Sequence, residues 1–153
     1  MRYFYLIFCL FLMACGSGSP QNAPLNSATL GQAWGVFADL LNGFRSQQNR
    51  GPVRANERLA AIAQSHAQDM AREGVLSHRG SDASTLRQRV ERGGYGGCLW
   101  AENIAEGYPT EAAVFKGWQT SPGHRRNMLL AGAQDYGLAR VGSYWVLVLA
   151  APC

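Results

Sequence analysis

Residues 136–151 read YGLARVGSYWVLVLAA. Two apolar runs flank Gly142-Ser143, and glycine at the first position of a two-residue loop is the signal of a type II′ hairpin. Side chains alternate across a strand, so Tyr144, Val146 and Val148 face one way and Trp145, Leu147 and Leu149 the other. Both sets are apolar. A strand that would lose on either face by meeting water needs cover on both. The hairpin therefore predicts an α+β domain: a three-layer α–β–α sandwich in which a small antiparallel sheet is covered by helices on both faces.

The covering helices lie upstream. Trp34, Phe37, Leu40, Leu41 and Phe44 recur at helical spacing and predict a helix over 32–48. Asn56 is placed as an N-cap for a second helix, whose Leu59, Ile62, Ala63, His66, Ala67 and Met70 form one apolar stripe ending near Gly74. His66 on that stripe reads as a buried core histidine satisfied by a hydrogen bond. Thr85 and Gln88 have capping-box spacing for a short third helix. Residues 110–119 predict a fourth, with Val114, Phe115 and Trp118 inward. Ser121 is expected to cap a fifth, with Pro122 at its first position, where a missing N–H costs nothing. GGYGGC, residues 93–98, reads as a glycine-rich turn without the strand-before, helix-after context of a phosphate loop.

The chain has 153 residues, 47% hydrophobic and 16% charged, which describes a globular domain. Its formal charge is +4. The bases, nearly all arginine, are scattered without interleaved aromatics; a solvated Arg-rich face is the expected reading, and nucleic acid is not an expected partner. The N-terminus carries Arg2, an apolar run from Tyr3 to Met13, and Ala14 before Cys15. The run is short for a membrane span, which takes about 20 residues. It fits a secretory signal, and LMAC resembles a bacterial lipobox. On this reading residues 1–14 are a lipoprotein signal peptide and Cys15 is acylated, anchoring the chain to the membrane. An ordinary signal peptide or anchor with a chance cysteine is the other reading. Gly16 after Cys15, rather than aspartate, favours the outer membrane, cell surface or periplasm. Residues 15–29, rich in Gly, Ser, Pro and Asn, read as a flexible tether, and the domain is expected over 30–153. Cys98 and Cys153 remain; in an oxidising compartment they suggest one disulfide, with two free thiols as the alternative.

Three stretches stand out: LSHRGSD (76–82), AENIAEG (101–107) and SPGHRRNML (121–129). With HAQDMA before them and the hairpin after them, they resemble the CAP superfamily of cysteine-rich secretory, antigen 5 and pathogenesis-related 1 proteins, in its bacterial branch. The resemblance runs from about Leu40 to the last strand. It implies an α–β–α sandwich whose cleft carries histidines and acids. By motif, His78 matches the first cleft histidine, Glu102 the cleft glutamate and His124 the second histidine. Asn103, within ENIA, is expected to turn to backbone groups and hold the loop. Many eukaryotic members have a second acid where this chain has Ser121; Glu106 is not in that motif and does not replace it.

The resemblance also implies what these groups do. His78, His124 and Glu102 form a divalent-metal set, zinc first, or else a structural hydrogen-bonded network. The expected function is an envelope-anchored binding module for a lipid, glycan or peptide ligand. The alternative is a metal-dependent or serine hydrolase of envelope peptides. No complete catalytic set is visible in the sequence, so the catalytic residues are left unknown and an enzyme is the less favoured reading.

Overall fold

A computed structural model describes residues 34–153. The expected signal peptide (1–14), the lipidation at Cys15, the tether (15–29) and the first residues of the expected domain lie outside the described residues. The elements run α1 (Gly35–Gln47), β1 (Arg54–Ala55), α2 (Glu57–Glu73), α3 (Leu86–Arg92), β2 (Gly97–Glu106), α4 (Glu111–Thr120), α5 (Pro122–Met128), β3 (Asp135–Val141) and β4 (Tyr144–Pro152). The strands form one sheet in the order β1-β3-β4-β2, antiparallel except that the two-residue β1 joins β3 in parallel. Gly142 has φ 57 and Ser143 does not share the positive φ, as the type II′ reading of the hairpin requires.

Strand β4 divides the core by parity. Trp145, Leu147 and Leu149 pack with Phe37, Leu41, Phe115 and Trp118 from α1 and α4. Tyr144, Val146 and Val148 pack with Leu59, Ile62, Ala63 and Met70 from α2 and Val90 from α3. Every residue from Tyr144 to Ala151 is buried, so the sandwich has two hydrophobic layers, as expected.

Local signals set the helix ends. The Asn56 side chain accepts from the backbone N–H groups of Arg58 and Leu59, and Gly74 ends α2 in the left-handed conformation at φ 66. Thr85 and Gln88 form the full capping box of α3. Ser121 departs from expectation, since its side chain makes no capping hydrogen bond. It is shared as the C-cap of one helix and the N-cap of the next, and its carbonyl accepts from Arg125 N at 2.8 Å.

Two further differences matter. GCLWAENIAE, read as a turn and loop, is the ten-residue strand β2, paired with β4 along its length. And the arginines are not all on a solvated face. Arg45 is 1% exposed and donates to the carbonyls of Gly51, Met128 and Leu130, tying α1 to the segment after α5. Arg89 is likewise buried, in the site described below.

Cys98 and Cys153 form the disulfide. It joins β2 to the residue that follows β4, and a separation of 55 residues corresponds to about 4 kcal/mol on the chain-entropy model.

Helix α2 lies so close on β3 that a Cβ at Gly137 would run into the backbone of Leu59 and Ala60. Backbone cannot move aside as a flexible side chain can. Gly137→Ala should therefore destabilise the domain by roughly 3 kcal/mol or more, by the overpacking route, measured by chemical denaturation. A change below about 1 kcal/mol would show that α2 can shift on the sheet at little cost.

Candidate functional site

Strand β2 is an edge of the sheet, and its alternation sends neighbouring side chains into different layers. Glu102 points with Ile104 into the α2–α3 layer; Asn103 points with Ala105 toward α4 and α5. The site straddles this edge.

Glu102 is the centre of the first half. Its side chain is 3% exposed. Arg89, one turn into α3, donates from Nη2 to Glu102 Oε2 at 2.7 Å. His78, on the loop between α2 and α3, approaches Oε1 with Nδ1 at 2.8 Å. His66 stands behind, its Nε2 3.9 Å from the same oxygen. Burial pushes the Glu102 carboxyl up, but the His78 hydrogen bond and the Arg89 charge outweigh it and hold the group below the usual carboxylate range. Arg89 also donates from Nη1 to the carbonyls of His78 and Ser84. One guanidinium thus fixes both the carboxylate and the backbone of the loop that carries its histidine partner.

That loop is held from below as well. Asp69 of α2 accepts from Ser81 N at 2.8 Å and from Ser81 Oγ at 2.6 Å, and Arg72 pairs with the same carboxylate. His66 Nε2–H donates to the Ser77 carbonyl at 2.9 Å, which satisfies the expectation of a hydrogen-bonded core histidine. Sequence reasoning kept His66 apart from the cleft set; the structure puts it against Glu102. Glu106 lies at the far end of β2, near Ser143.

The second half belongs to α4 and α5. Asn103, fully buried, donates from Nδ2 to the His124 carbonyl at 3.0 Å, the backbone-holding role expected of it. Asn127 Nδ2 donates to the Glu102 carbonyl and to Asn103 Oδ1, each at 2.9 Å. Trp118 Nε1 donates to the Ile104 carbonyl. Asn127 and Trp118 thereby cover outward carbonyls of an edge strand. The His124 ring lies edge-on to Trp118, centroids 6.5 Å apart. Burial, then the charge of His78, pushes the His124 imidazole down.

The sequence-predicted residues are therefore joined in two ways. His78 and Glu102 touch. His124 is tied to the same strand through its backbone and Asn103, and shares an electrostatic environment with His78. A cavity of about 380 Å³ opens beside Glu102, lined by His78, Arg79, Thr85, Leu86, Glu102 and Asn127. The exposed His78 ring, 59% accessible, stands at this cavity. Arg89 and Asn127 were missed as site residues. Arg89 had a usable signal: it shares the inward face of α3 with Leu86 and Val90.

The metal set implied by the resemblance does not fit this arrangement. Both Glu102 oxygens are engaged, one of them by a permanent cation. Among the described residues no group of three or more His, Cys, Asp or Glu side chains is placed to hold a metal ion. Glu102 instead acts on His78, fixing which ring nitrogen faces outward.

Comparison with known proteins agrees with the fold. A family model described as the CAP, cysteine-rich secretory protein family matches residues 38–149. The chain is 30% identical over 109 residues to the uncharacterized protein YkwD of Bacillus subtilis, covering 70% of this chain and 42% of that protein. It is 31% identical over 107 residues to the uncharacterized membrane protein YlbC of the same organism, covering 70% of this chain and 31% of that protein. The chain thus spans less than half the length of either relative. Among solved structures, an extracellular SCP-domain protein from Bacillus anthracis superposes with TM-score 0.74 at 27% identity, over 84% of this chain and 45% of that one. An outer surface protein from Borrelia burgdorferi shares the fold, with TM-score 0.73 at 16% identity over 80% of this chain and 94% of that one.

Burial is the main reason the His66 imidazole is pushed down, offset in part by Glu102. A histidine with a lowered folded-state pKa is protonated more readily in the unfolded chain. Its contribution to stability is complete above the unfolded value of about 6.5 and declines as pH falls below it. Stability should therefore fall with acidification from pH 7 to 5. His66→Gln, which keeps a donor for Ser77, should flatten the slope by up to about 1.4 kcal/mol per pH unit. Urea denaturation at stepped pH measures this; an unchanged slope in the variant would assign the acid sensitivity elsewhere.

Proposed function

The chain belongs to the CAP, cysteine-rich secretory protein family, and from that premise we propose that it is an envelope-anchored binding module that takes a lipid, glycan or peptide ligand at the His78–Glu102–His124 edge of the sheet. The observation that carries this is the clasp on Glu102. A general base needs a free basic site in reach of substrate. Here the carboxylate is enclosed, its charge paired by Arg89 and its other oxygen occupied by His78. What faces the cavity is a positioned imidazole beside Arg79, the Asn127 amide and the apolar wall of Leu86. Thr85, the one hydroxyl in that lining, is spent in the α3 capping box. Such a mixture of a few fixed polar groups and an apolar surface suits recognition.

The hydrolase reading keeps one supporting feature, the His78–Glu102 pair at 2.8 Å, which is the geometry of an imidazole oriented by a carboxylate. Anchoring through acylated Cys15 rests on LMAC and on relatives described as extracellular, outer-surface or membrane proteins.

Envelope extract separated into lipid, glycan and peptide pools tests the binding reading on the full-length chain. One pool should raise the melting temperature by several degrees, since a ligand at about 100 Kd adds about 2.7 kcal/mol. His78→Ala should abolish that shift. Turnover of peptide or ester substrates that disappears in His124→Ala would establish the hydrolase instead.

For anchoring, Cys15→Ser should move the chain from the membrane fraction to the soluble fraction on detergent partitioning. Unchanged partitioning would mean that another segment holds it.

A further inference from the structure

A larger cavity than the one at His78 lies between α2 and α3, about 520 Å³ in volume. One face of α2 lines it from Arg58 through Ser65 to Arg72, at helical spacing. Arg89, Arg92 and Gly93 close it from α3, and Asp82 from the loop before it.

Its chemistry is unlike that of the cavity at His78. Arg58 donates from Nη1 to the Gly94 carbonyl at 2.8 Å, which brings its guanidinium to the Arg92–Gly93 end of the groove. Arg92 pairs through Nη1 with Asp82 at 2.8 Å. Each of these forks has five N–H donors and directs only one nitrogen to a partner among the described residues. Two mostly unspent guanidiniums at one end of a groove form a receptor for carboxylate, phosphate or sulfate oxygens. Further along, Ser65 and Gln68 present side chains with no partner among the described residues, beside Asp69 and Ser81. The lining also holds two buried groups with unmet hydrogen bonds. His66, 1% exposed, leaves Nδ1 unpaired, and Arg89, 9% exposed, leaves Nε unpaired. With Nε2–H given to Ser77, His66 Nδ1 is an acceptor, while Arg89 Nε is a donor. Unpaired buried nitrogens are rare in folded proteins, and these two belong to residues of one groove.

We propose that the groove between α2 and α3 is a second binding site, for an acidic glycan, in which Arg58 and Arg92 receive the acid groups and Ser65 and Gln68 bind sugar hydroxyls. The lining selects this class. Its lining has no Phe, Tyr or Trp, and the one ring in it, His66, is 1% exposed, so nucleic-acid bases have nothing to stack on. Val36, Val75 and Leu76, the large apolar residues most exposed among those described, are all outside it, so the groove offers no exposed apolar side chain to insert among acyl chains. A chain that carries both acid groups and hydroxyls matches a groove with two guanidiniums at one end and uncharged polar side chains further along. Arg89 connects the groove to the clasp, because its Nη2 is the partner of Glu102.

Alginate oligosaccharide, a polyuronate, is the probe, with neutral dextran of equal length as the comparison. Binding to the full-length chain is measured by calorimetry at low ionic strength, where guanidinium–carboxylate pairs are least screened. Alginate should bind and dextran should not. Arg58→Gln combined with Arg92→Gln should weaken alginate by about tenfold or more. Ser65→Trp, at an exposed helix position that leaves every ion pair intact, should do the same by filling the groove. His78→Ala should leave alginate affinity within about twofold, which separates this site from the cleft at Glu102. Equal binding of dextran, or alginate affinity unchanged in both groove variants, would overturn the proposal. So would loss of alginate binding in His78→Ala, and so would phosphatidylglycerol vesicles binding through the same arginines in place of alginate.

Discussion

Strand β4 imposes the demand that the rest of the fold answers. From Tyr144 to Ala151 it has no exposed residue, and its two faces carry side chains of similar hydrophobicity. Neither face can be left to water, at about 25 cal/mol per Å² of apolar surface. One helical layer would leave half the strand uncovered. Helices α1, α4 and α5 close one side, α2 and α3 the other, and every loop that reaches the site is a connection forced by that arrangement. Gly137 shows how tight it is, since α2 approaches β3 at the level of the backbone.

The same sheet creates the site at its weak point. β2 is an edge strand, and an edge must be blocked or hidden. Asn127 and Trp118 block it by taking outward carbonyls. Glu102, one residue along from a fully buried asparagine, turns into the helical layer, where an unpaired carboxylate would be prohibitive. Arg89 removes that cost and His78 uses the remaining oxygen. A buried pair of this kind is weak evidence for added stability, since hydrophobic replacements are often as stable. Its value here is positional: it holds an exposed imidazole in one orientation at the mouth of a cavity.

Arg89 also has two faces. Its Nη2 completes the Glu102 clasp, while its Nε is buried and unpaired and its side chain lines the larger groove. His66 repeats the pattern, with Nε2 near Glu102 and bonded to Ser77 while Nδ1 is unpaired. Both side chains line the larger groove and both approach Glu102, which lines the smaller cavity, so any adjustment of Arg89 alters the neighbours of Glu102.

Much of this was legible in the sequence where the signal is local. The periodicity of Leu59 to Met70, the Asn56 cap, the Thr85–Gln88 box and the turn at Gly142 each depend on residues a few positions apart, and each appears where it was read. The hairpin's two apolar faces implied three layers because hydrophobic burial has no other solution for such a strand. The motifs around His78, Glu102 and His124 marked the right region by resemblance. What sequence alone did not yield is whatever depends on elements distant in the chain. GCLWAENIAE has no clean alternation, because as an edge strand it sets Glu102 and Asn103 into opposite layers, each polar and each paired from elsewhere. Arg45 and Arg89 read as surface bases until carbonyls and a carboxylate from remote segments enclosed them. The identity of a buried charge's partner is a property of three-dimensional packing, and only the tertiary structure could decide that Glu102 serves to hold His78 while Arg89 holds Glu102.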